Sequence, residues 1–476
     1  MRESARLAQF IGSTPYDQLP PAIVEQAKRL ILDYLAAGYL GSRAETSPAY
    51  RRLFGVDDRG GWVTLGARAG VAGSRPSALS AGAAAALNAA YGHQVELAEG
   101  VSRAVVHSSN AVVPAALAVA EREGSTGPEL IRAVALGCEA LIRWGYSLNS
   151  DPSRPPKGDN PVTYKAGWWT PAALAPLGAA TAVAALRGGT GDDVERAWDL
   201  AVNACLTVTR GLVHDGGSGK GFILGLACLN GILSGDLALE GITGADDIEA
   251  AWLPLINPHA DLLRLSDGLG SRYELDFVLY KYFATPGPLF ASLEAVFALL
   301  ERDGAIDPAD IASIHIAGYR RTREFHRDAP PPNAEAARAD VGYCVARAFV
   351  SADPNDFLES AFTDEAIHDP LTLDLASRLT VDIDPHFDSL YPREAAWARL
   401  TVALRDGSAR EIEVDRDALK RYHYPERTET AAKFRAVATL DLGSEGADEV
   451  VDAVWNLEAP EGAARLIAAL RGGPTA

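Results

Sequence analysis

The sequence predicts a mainly α-helical protein with a smaller α+β domain, and three observations predict it. Up to about residue 270, apolar positions recur at helical intervals and nothing alternates like a regular strand. Further on, Asp310–Arg320 and Arg378–Ile383 alternate with period two. Ala398–Leu404 and Ala409–Val414 flank Asp406-Gly407 as a hairpin with a primed turn. From Glu429 to Leu470 the pattern returns to amphipathic helix, which is expected to dock back on the first domain.

The elements follow in order. Pro20-Pro21 starts a helix in the manner of a first-turn proline, with Ile23, Ala27, Leu30, Ile31 and Tyr34 on one face, and Gly38 and Gly41 weaken its end. Trp62–Leu65 reads as a short extended piece before a Gly/Ser/Pro loop. Ser77–Ala90 is a helix of the smallest side chains, which implies close contact between helices. Helical patterning continues over Gly127–Leu148, breaks in the proline- and charge-rich SDPSRPPKGDNP (Ser150–Pro161), and resumes after Trp168-Trp169. Between the later strands lie helices over Asp340–Val350 and Asp364–Ala376. No internal repeat is present.

Composition bounds the function classes. The 476 residues suffice for about two or three domains, and 48% are hydrophobic, as in a compact helical protein. A formal charge of −19 with no lysine- or arginine-rich tract argues against nucleic acid and anionic membranes as partners. Cys138, Cys205, Cys228 and Cys344 stand singly in apolar segments, without zinc or iron–sulfur spacing, as buried thiols of a reducing compartment do. The N-terminal MRESARLAQFIG lacks the apolar core of a signal peptide, so a cytoplasmic location is expected.

Two stretches carry chemistry. In HDGGSGKGFILGLACLNGILSGDLALE (His214–Glu240), the glycine-rich turn of Gly216, Gly217, Ser218 and Gly219 delivers Lys220 to the start of a long apolar helix. Gly221, Gly225, Gly231 and Gly235 recur along it. Each costs the helix about 1 kcal/mol relative to alanine, which close packing must offset. Lys220 would sit at the positive helix end, a place to hold an anion; an ordinary solvated lysine is the alternative. A phosphate-binding loop is rejected, because Gly219-Lys220 is followed by Gly221 and the first glycine position is His214. The segment has the length of a membrane span, but Asn230, Ser234 and Asp236 interrupt it, so a buried core helix is expected.

The second stretch, GHQVELAEGVSRAVVHSSN, places His93, Glu96, Glu99 and His107 on a polar loop between two apolar helices, with Ser108, Ser109 and Asn110 as caps of the second. Their spacing is not that of tight metal ligands, and no metal site is read elsewhere. Trp168 and Trp169 fit either a core or a pocket wall.

Together these stretches resemble the MmgE/PrpD family, which includes 2-methylcitrate dehydratase, cis-aconitate decarboxylase and iminodisuccinate epimerase. The likeness spans nearly the whole chain. It runs from YDQLPPAIVEQAKRLILDYLAAGYLGS through HSSNAVVPAALAVAE, GWWTPAALAPLGAA, GSGKGFILG, KYFATPGPLF and FTDEAIHDP to AAKFR and VVDAVWNLE. It implies a large helical domain built from both chain ends (1–270 and 425–476), an α+β lid (271–424), a homodimer, and a cofactor-free site between the domains that acts on a small molecule. Members act at a carbon next to a carboxylate, by general acid–base catalysis with cations holding the substrate.

By that resemblance Glu96 stands where the pattern H-A-L-D-F-D-D-T has a catalytic aspartate. His107 and Lys220 are kept, Lys281 matches the lysine opening K-P-Y-P, and Tyr343 matches a tyrosine of the lid. The expected catalytic residues are Glu96, His107, Lys220 and Tyr343. The departures are Trp169 for the histidine of G-[FW]-H-P, Ile223 and Leu229 for a histidine and an arginine after the lysine, and Pro288 or Phe290 near a third histidine. Loss of cations leaves a di- or tricarboxylate uncompensated. A pocket lined by His93, Trp168, Trp169, Ile223, Leu229, Lys281 and Phe290 therefore predicts a substrate bulkier and less charged than citrate. The expected activity is that of a lyase, a dehydratase first. The alternatives are an isomerase, epimerase or cyclase using the same groups, and an inactive member that binds a ligand or partner. An apolar pocket would raise the pKa of Glu96 and suit it to act as a base.

Overall fold

Four glycines set how the helical part packs. The computed structural model describes residues 1–54, 78–150, 167–205, 217, 219–244, 247–391, 397–420 and 422–471. Its helical part contains α1 (Glu3–Ser13), α2 (Pro21–Ser42), α3 (Ser47–Phe54), α4 (Ala78–Gln94), α5 (Ser109–Glu123), α6 (Gly127–Asn149), α7 (Thr170–Leu186), α8 (Gly191–Asn203) and α9 (Lys220–Leu239). A Cβ on Gly221 or Gly225 would stand 2.5 and 2.7 Å from the Ala90 and Ala86 carbonyl oxygens of α4. On Gly231 or Gly235 it would stand 2.5 and 2.7 Å from the Ala179 and Val183 side chains of α7. α9 is thus wedged backbone-close between the alanine-rich α4 and α7, as its glycine spacing predicts. It is long and apolar enough to cross a membrane, but its glycines serve helix contacts within the fold.

Pro21 occupies the first turn of α2, as expected. The helix then continues through Gly38 and Gly41 to Ser42 instead of weakening. The reason is again contact: a Cβ on Gly41 would fall 1.8 Å from the Tyr91 carbonyl oxygen, so α4 can cross only a glycine there. Thr126 and Glu129 form a reciprocal capping box that fixes the start of α6. The expectations for Trp62–Leu65, for residues 151–161 of the proline-rich loop and for His214–Gly216 and Ser218 fall outside the described residues.

The chain is 66% helical with a four-stranded mixed sheet. Its strands are β1 (Tyr280–Lys281), β2 (Ile311–Gly318), β3 (Leu379–Ile383), β4 (Ala398–Leu404), β5 (Ala409–Val414) and β6 (Tyr422–His423). The sheet order is β3-β2-β4-β5, with β2 and β3 parallel and the other pairs antiparallel; β1 pairs separately with β6. The predicted hairpin is β4–β5, but its turn is not the primed one expected: the Leu404 N–H bonds to the Ser408 carbonyl at 2.8 Å around a three-residue loop in which Gly407 is at φ +89° and Asp406 is not at positive φ, so the glycine serves as the left-handed residue that closes the loop. α10 (Phe290–Asp303) covers β4 and β5 and also packs on α11 (Val341–Ser351). The helix expected over Asp364–Ala376 is split into a turn, Asp364–Ile367, and α12 (Pro370–Ser377). Pro370 has no N–H to continue the first piece, and the Asp369 carboxylate caps the second through Thr372.

α13 (Arg427–Trp455), bent at Gly443 with φ +70°, and α14 (Gly462–Leu470) close the chain. α13 lies against α2, so the C-terminal segment docks on the N-terminal helices as expected. Their contact contains a fully buried ion pair, Lys433 Nζ to Asp33 Oδ1 at 2.5 Å.

Candidate functional site

The site is built on the connection between α4 and α5. α4 runs to Gln94, so His93 lies in its last turn and not on the loop. The His93 ring is buried, meets the Asn110 amide through Nδ1, and has its centroid 5.0 Å from Trp169 and 5.3 Å from His107. The expected caps of α5 do not cap with their own side chains. The Glu99 carboxylate does so, accepting from the Ser109 N–H at 2.6 Å and the Ser108 hydroxyl at 3.0 Å. A carboxylate suits the positive helix end, yet complete burial pushes Glu99 up to about 7, with Asp33 adding to the rise.

His107 Nδ1 lies 2.5 Å from the Glu99 carbonyl oxygen. A carbonyl only accepts, so Nδ1 carries the proton and the neutral ring keeps its lone pair on Nε2. Burial, then the Lys281 charge, pushes His107 down to about 3, so it is neutral at physiological pH. Glu96 adopts φ +57°, a left-handed conformation that a non-glycine residue rarely takes. Its carboxylate pairs with Lys220 Nζ on one oxygen and with Lys281 Nζ at 3.1 Å on the other; Lys281 also donates to the Glu96 carbonyl at 3.1 Å. Glu96 is therefore bracketed by two ammonium groups and is not set in the apolar surroundings first expected. All three side chains are nearly enclosed, at 11%, 8% and 3% exposure, so Lys220 is not an ordinary solvated lysine.

Separate elements converge to make this bracket. Lys220 is the first residue of α9, after Gly219. Lys281 comes from β1, whose preceding residue Leu279 exchanges two 3.0 Å backbone hydrogen bonds with Gly100. Burial, with Lys281 next and Arg338 a smaller contributor, pulls Lys220 well below its ordinary range. Burial pulls Lys281 down to about 8 against the pull of Glu99 and Asp33. From behind, Lys433 donates to the Leu97 carbonyl at 3.2 Å while paired with Asp33.

The sheet part adds groups that the sequence reading missed. Glu335 accepts from Gln94 at 3.3 Å. Arg338 donates to the Ala284 carbonyl at 3.1 Å and lies 4.1 Å over the Phe362 ring. The one local signal was a glutamate and an arginine three residues apart, close before Tyr343.

The other expected residues are placed differently. Tyr343 is buried in α11, its hydroxyl donating to the Ala361 carbonyl, so its proton is engaged in the core of the sheet part. Phe290 is fully buried, 5.2 Å from Phe283, as a packing residue. Leu229 packs against Gly82 of α4, and nine residues of helix put it about 13 Å along α9 from Lys220. Ile223, one turn into α9, and Trp168 are half-buried. Glu96, Lys220, Lys281, His93, His107 and Trp169 are thus brought together, whereas Tyr343, Phe290 and Leu229 are not.

His93 Nε2, Gln94 Oε1, Glu99 Oε2 and Asn110 Oδ1 are buried with no hydrogen-bond partner among the described residues. Each such atom costs about 1–3 kcal/mol, and their grouping here suits a polar ligand. Among the described residues no three His, Cys, Asp or Glu side chains are placed to hold a metal ion.

Glu99 gives a pH test of this geometry. Its folded pKa of about 7 lies above the ordinary 4.5. Between those values the folded chain holds a proton that the unfolded chain has lost, so stability falls as pH rises through this window, by about 3 kcal/mol in all. Glu99→Gln keeps an acceptor for Ser108 and Ser109 and removes the titration. The variant is expected to melt above the wild type at pH 8 and to lose that advantage at pH 5. A pH-independent difference would contradict the burial of Glu99.

The model of the MmgE/PrpD N-terminal domain matches residues 5–252, and that of the MmgE/PrpD C-terminal domain matches residues 283–457. The chain is 25% identical over 480 residues to a cis-aconitate decarboxylase of Aspergillus terreus, covering 96% of this chain and 93% of that protein. It is 24% identical over 492 residues to the cis-aconitate decarboxylase-like protein oryM of Aspergillus oryzae, covering 98% and 97%.

Proposed function

Because this chain belongs to the MmgE/PrpD family, we propose that it is a cofactor-independent lyase that removes a proton from a carbon next to a carboxylate or carbonyl. The carrying observation is the Glu96 carboxylate held between Lys220 and Lys281 beside a neutral His107. Two buried ammonium groups that bind one carboxylate suit a substrate carboxylate and the enolate charge that develops on it. His107 Nε2 supplies a base of the right protonation state. The proton moves to Nε2, the C–H electron pair forms the new double bond, and the leaving hydroxyl departs with its own bonding pair and takes the proton from Nε2, which returns His107 to its neutral state.

Water is the proposed leaving group. Trp169, with its ring 5.0 Å from that of His93, stands where the family pattern has a histidine and adds an aromatic group to the site, which favours a substrate bulkier and less charged than citrate. The relatives named as cis-aconitate decarboxylases, at 24–25% identity, support lyase chemistry of this family without fixing the substrate.

A panel of 2-hydroxy and unsaturated carboxylic acids that includes cis-aconitate tests the proposal, with product mass as the readout. A product lighter by one water from a hydroxy acid is expected. Loss of carbon dioxide would correct the leaving group. Deuterium uptake from heavy water without mass loss would replace the lyase by an isomerase.

A further inference from the structure

We propose that His93 is a second catalytic histidine, a neutral hydrogen-bond donor whose Nε2–H holds the hydroxyl that leaves the substrate; this role rests on the lyase reading above.

Hydrogen bonding fixes the tautomer. The Asn110 amide donates to His93 Nδ1. A neutral imidazole that accepts on one nitrogen carries its proton on the other, so His93 presents Nε2–H. His107 is set the opposite way: its Nδ1–H is taken up by the Glu99 carbonyl, and its Nε2 keeps a lone pair. Asn110 ties the two together, because its backbone N–H also donates to the His107 carbonyl at 3.3 Å. The rings lie 5.3 Å apart at 62°. One donor and one acceptor thus stand close enough to meet the same substrate molecule.

The donor is unused within the protein. His93 Nε2 is buried without a hydrogen-bond partner among the described residues, and the residue leaves only 2% of its surface exposed. A buried N–H left idle is a cost to the fold, and a ligand oxygen removes it. His107, beside it, is half-buried, which leaves an approach to the pair.

The surroundings keep His93 neutral. Burial, then Lys220, His107 and Lys281, pulls it well below its ordinary range, and Trp169 adds an aromatic ring 5.0 Å away. A histidine that takes no second proton does not compete with His107 as base, and it donates without being consumed.

Lys220 and Lys281 are engaged with carboxylate charge, so the oxygen left to His93 is that of the departing hydroxyl. The C–O bond breaks with its pair on oxygen. That oxygen takes the proton which His107 removed from carbon, and water leaves. His93 keeps its own proton throughout and stabilises the charge that forms on the oxygen as the bond breaks.

His93→Phe and His93→Gln test the role on the acid that the panel identifies, with deuterium entry from heavy water and loss of water measured side by side. The phenylalanine keeps a ring and loses the donor. Its water loss is expected to fall about 10²-fold while deuterium entry stays within about tenfold of the wild type. The glutamine restores an N–H, and about tenfold or more of the loss is expected back. Equal falls in exchange and water loss would mark His93 as a packing residue and overturn the proposal. So would a glutamine variant no faster than the phenylalanine one. Nitrogen-15 spectra of imidazole-labelled wild-type protein need no substrate, and the His93 signal is assigned by its absence from the glutamine variant. A neutral ring protonated on Nε2 is expected between about pH 6 and 8. An imidazolium or an Nδ1-protonated ring would overturn the proposal whatever the activity. A wild type that turns over no acid of the panel, with this spectrum as expected, would instead overturn the lyase reading and the role with it.

Discussion

Lys220→Ala is expected to lower turnover by about 10³-fold while the fold and its melting temperature are kept. Two features set the size of the effect. Among the described residues Lys220 is one of two lysines paired with Glu96, and its side chain is nearly enclosed, at 8% exposure. Its interaction with a substrate carboxylate would therefore be made in an enclosed, weakly screened place, where one charge counts for more than at a surface. The fold survives because the lysine contributes little to it: α9 is held by the glycine contacts with α4 and α7. Glu96 also keeps Lys281 as partner, and removing a desolvated charge relieves a cost. Turnover within tenfold of the wild type, measured on the substrate found by the acid panel, would contradict the assignment of Lys220.

Lys433→Met has the largest expected effect on stability. The lysine is fully buried, forms a 2.5 Å pair with the equally buried Asp33, and donates to the Leu97 carbonyl on the site loop. Removing it strands Asp33 and the carbonyl, and losing one partner of a buried pair costs about 3–5 kcal/mol. Asp33 softens the loss because burial already raises its pKa, so it can take up a proton. The double variant Asp33→Leu/Lys433→Met removes both charges and is expected to recover most of the loss, since an apolar replacement of a buried pair is often neutral. Urea unfolding midpoints of the two variants decide the matter. A single variant that costs under about 1 kcal/mol would show that the pair does not clamp the C-terminal helix to α2.

Local signals made the helical frame and the hairpin legible. The repeated small residues of α4 and α9 announced backbone-close packing, and glycine contacts with Ala86, Ala90, Ala179 and Val183 are what the fold contains. Asp406-Gly407 marked the place of the turn but not its type, because the same pair also fits a three-residue loop closed by a left-handed glycine. The polar stretch after α4 was visible as a candidate site, but its details were tertiary. The helix runs through Gly92 to carry His93, and glycine is needed there because a Cβ would meet the Tyr34 hydroxyl at 2.4 Å.

Motif matching located Tyr343 but not the direction of its hydroxyl, which turns to Ala361. Asp33 and Lys433 lie four hundred residues apart in sequence, and Glu335 and Arg338 meet the site only through the approach of the sheet part. No local pattern encodes the first pair, and for the second the spacing of a glutamate and an arginine before Tyr343 does not say what they approach.

The most direct measurement is proton exchange at the carbon next to the carboxylate. Wild-type, Lys220→Ala and His107→Ala proteins would be incubated in heavy water with the acid that the panel identifies, and deuterium incorporation followed by mass spectrometry. Rapid deuterium entry is expected with the wild type and near-background entry with both variants. Incorporation at the wild-type rate in either variant would contradict the central claim that the cluster of Glu96, Lys220, Lys281 and His107 moves the proton.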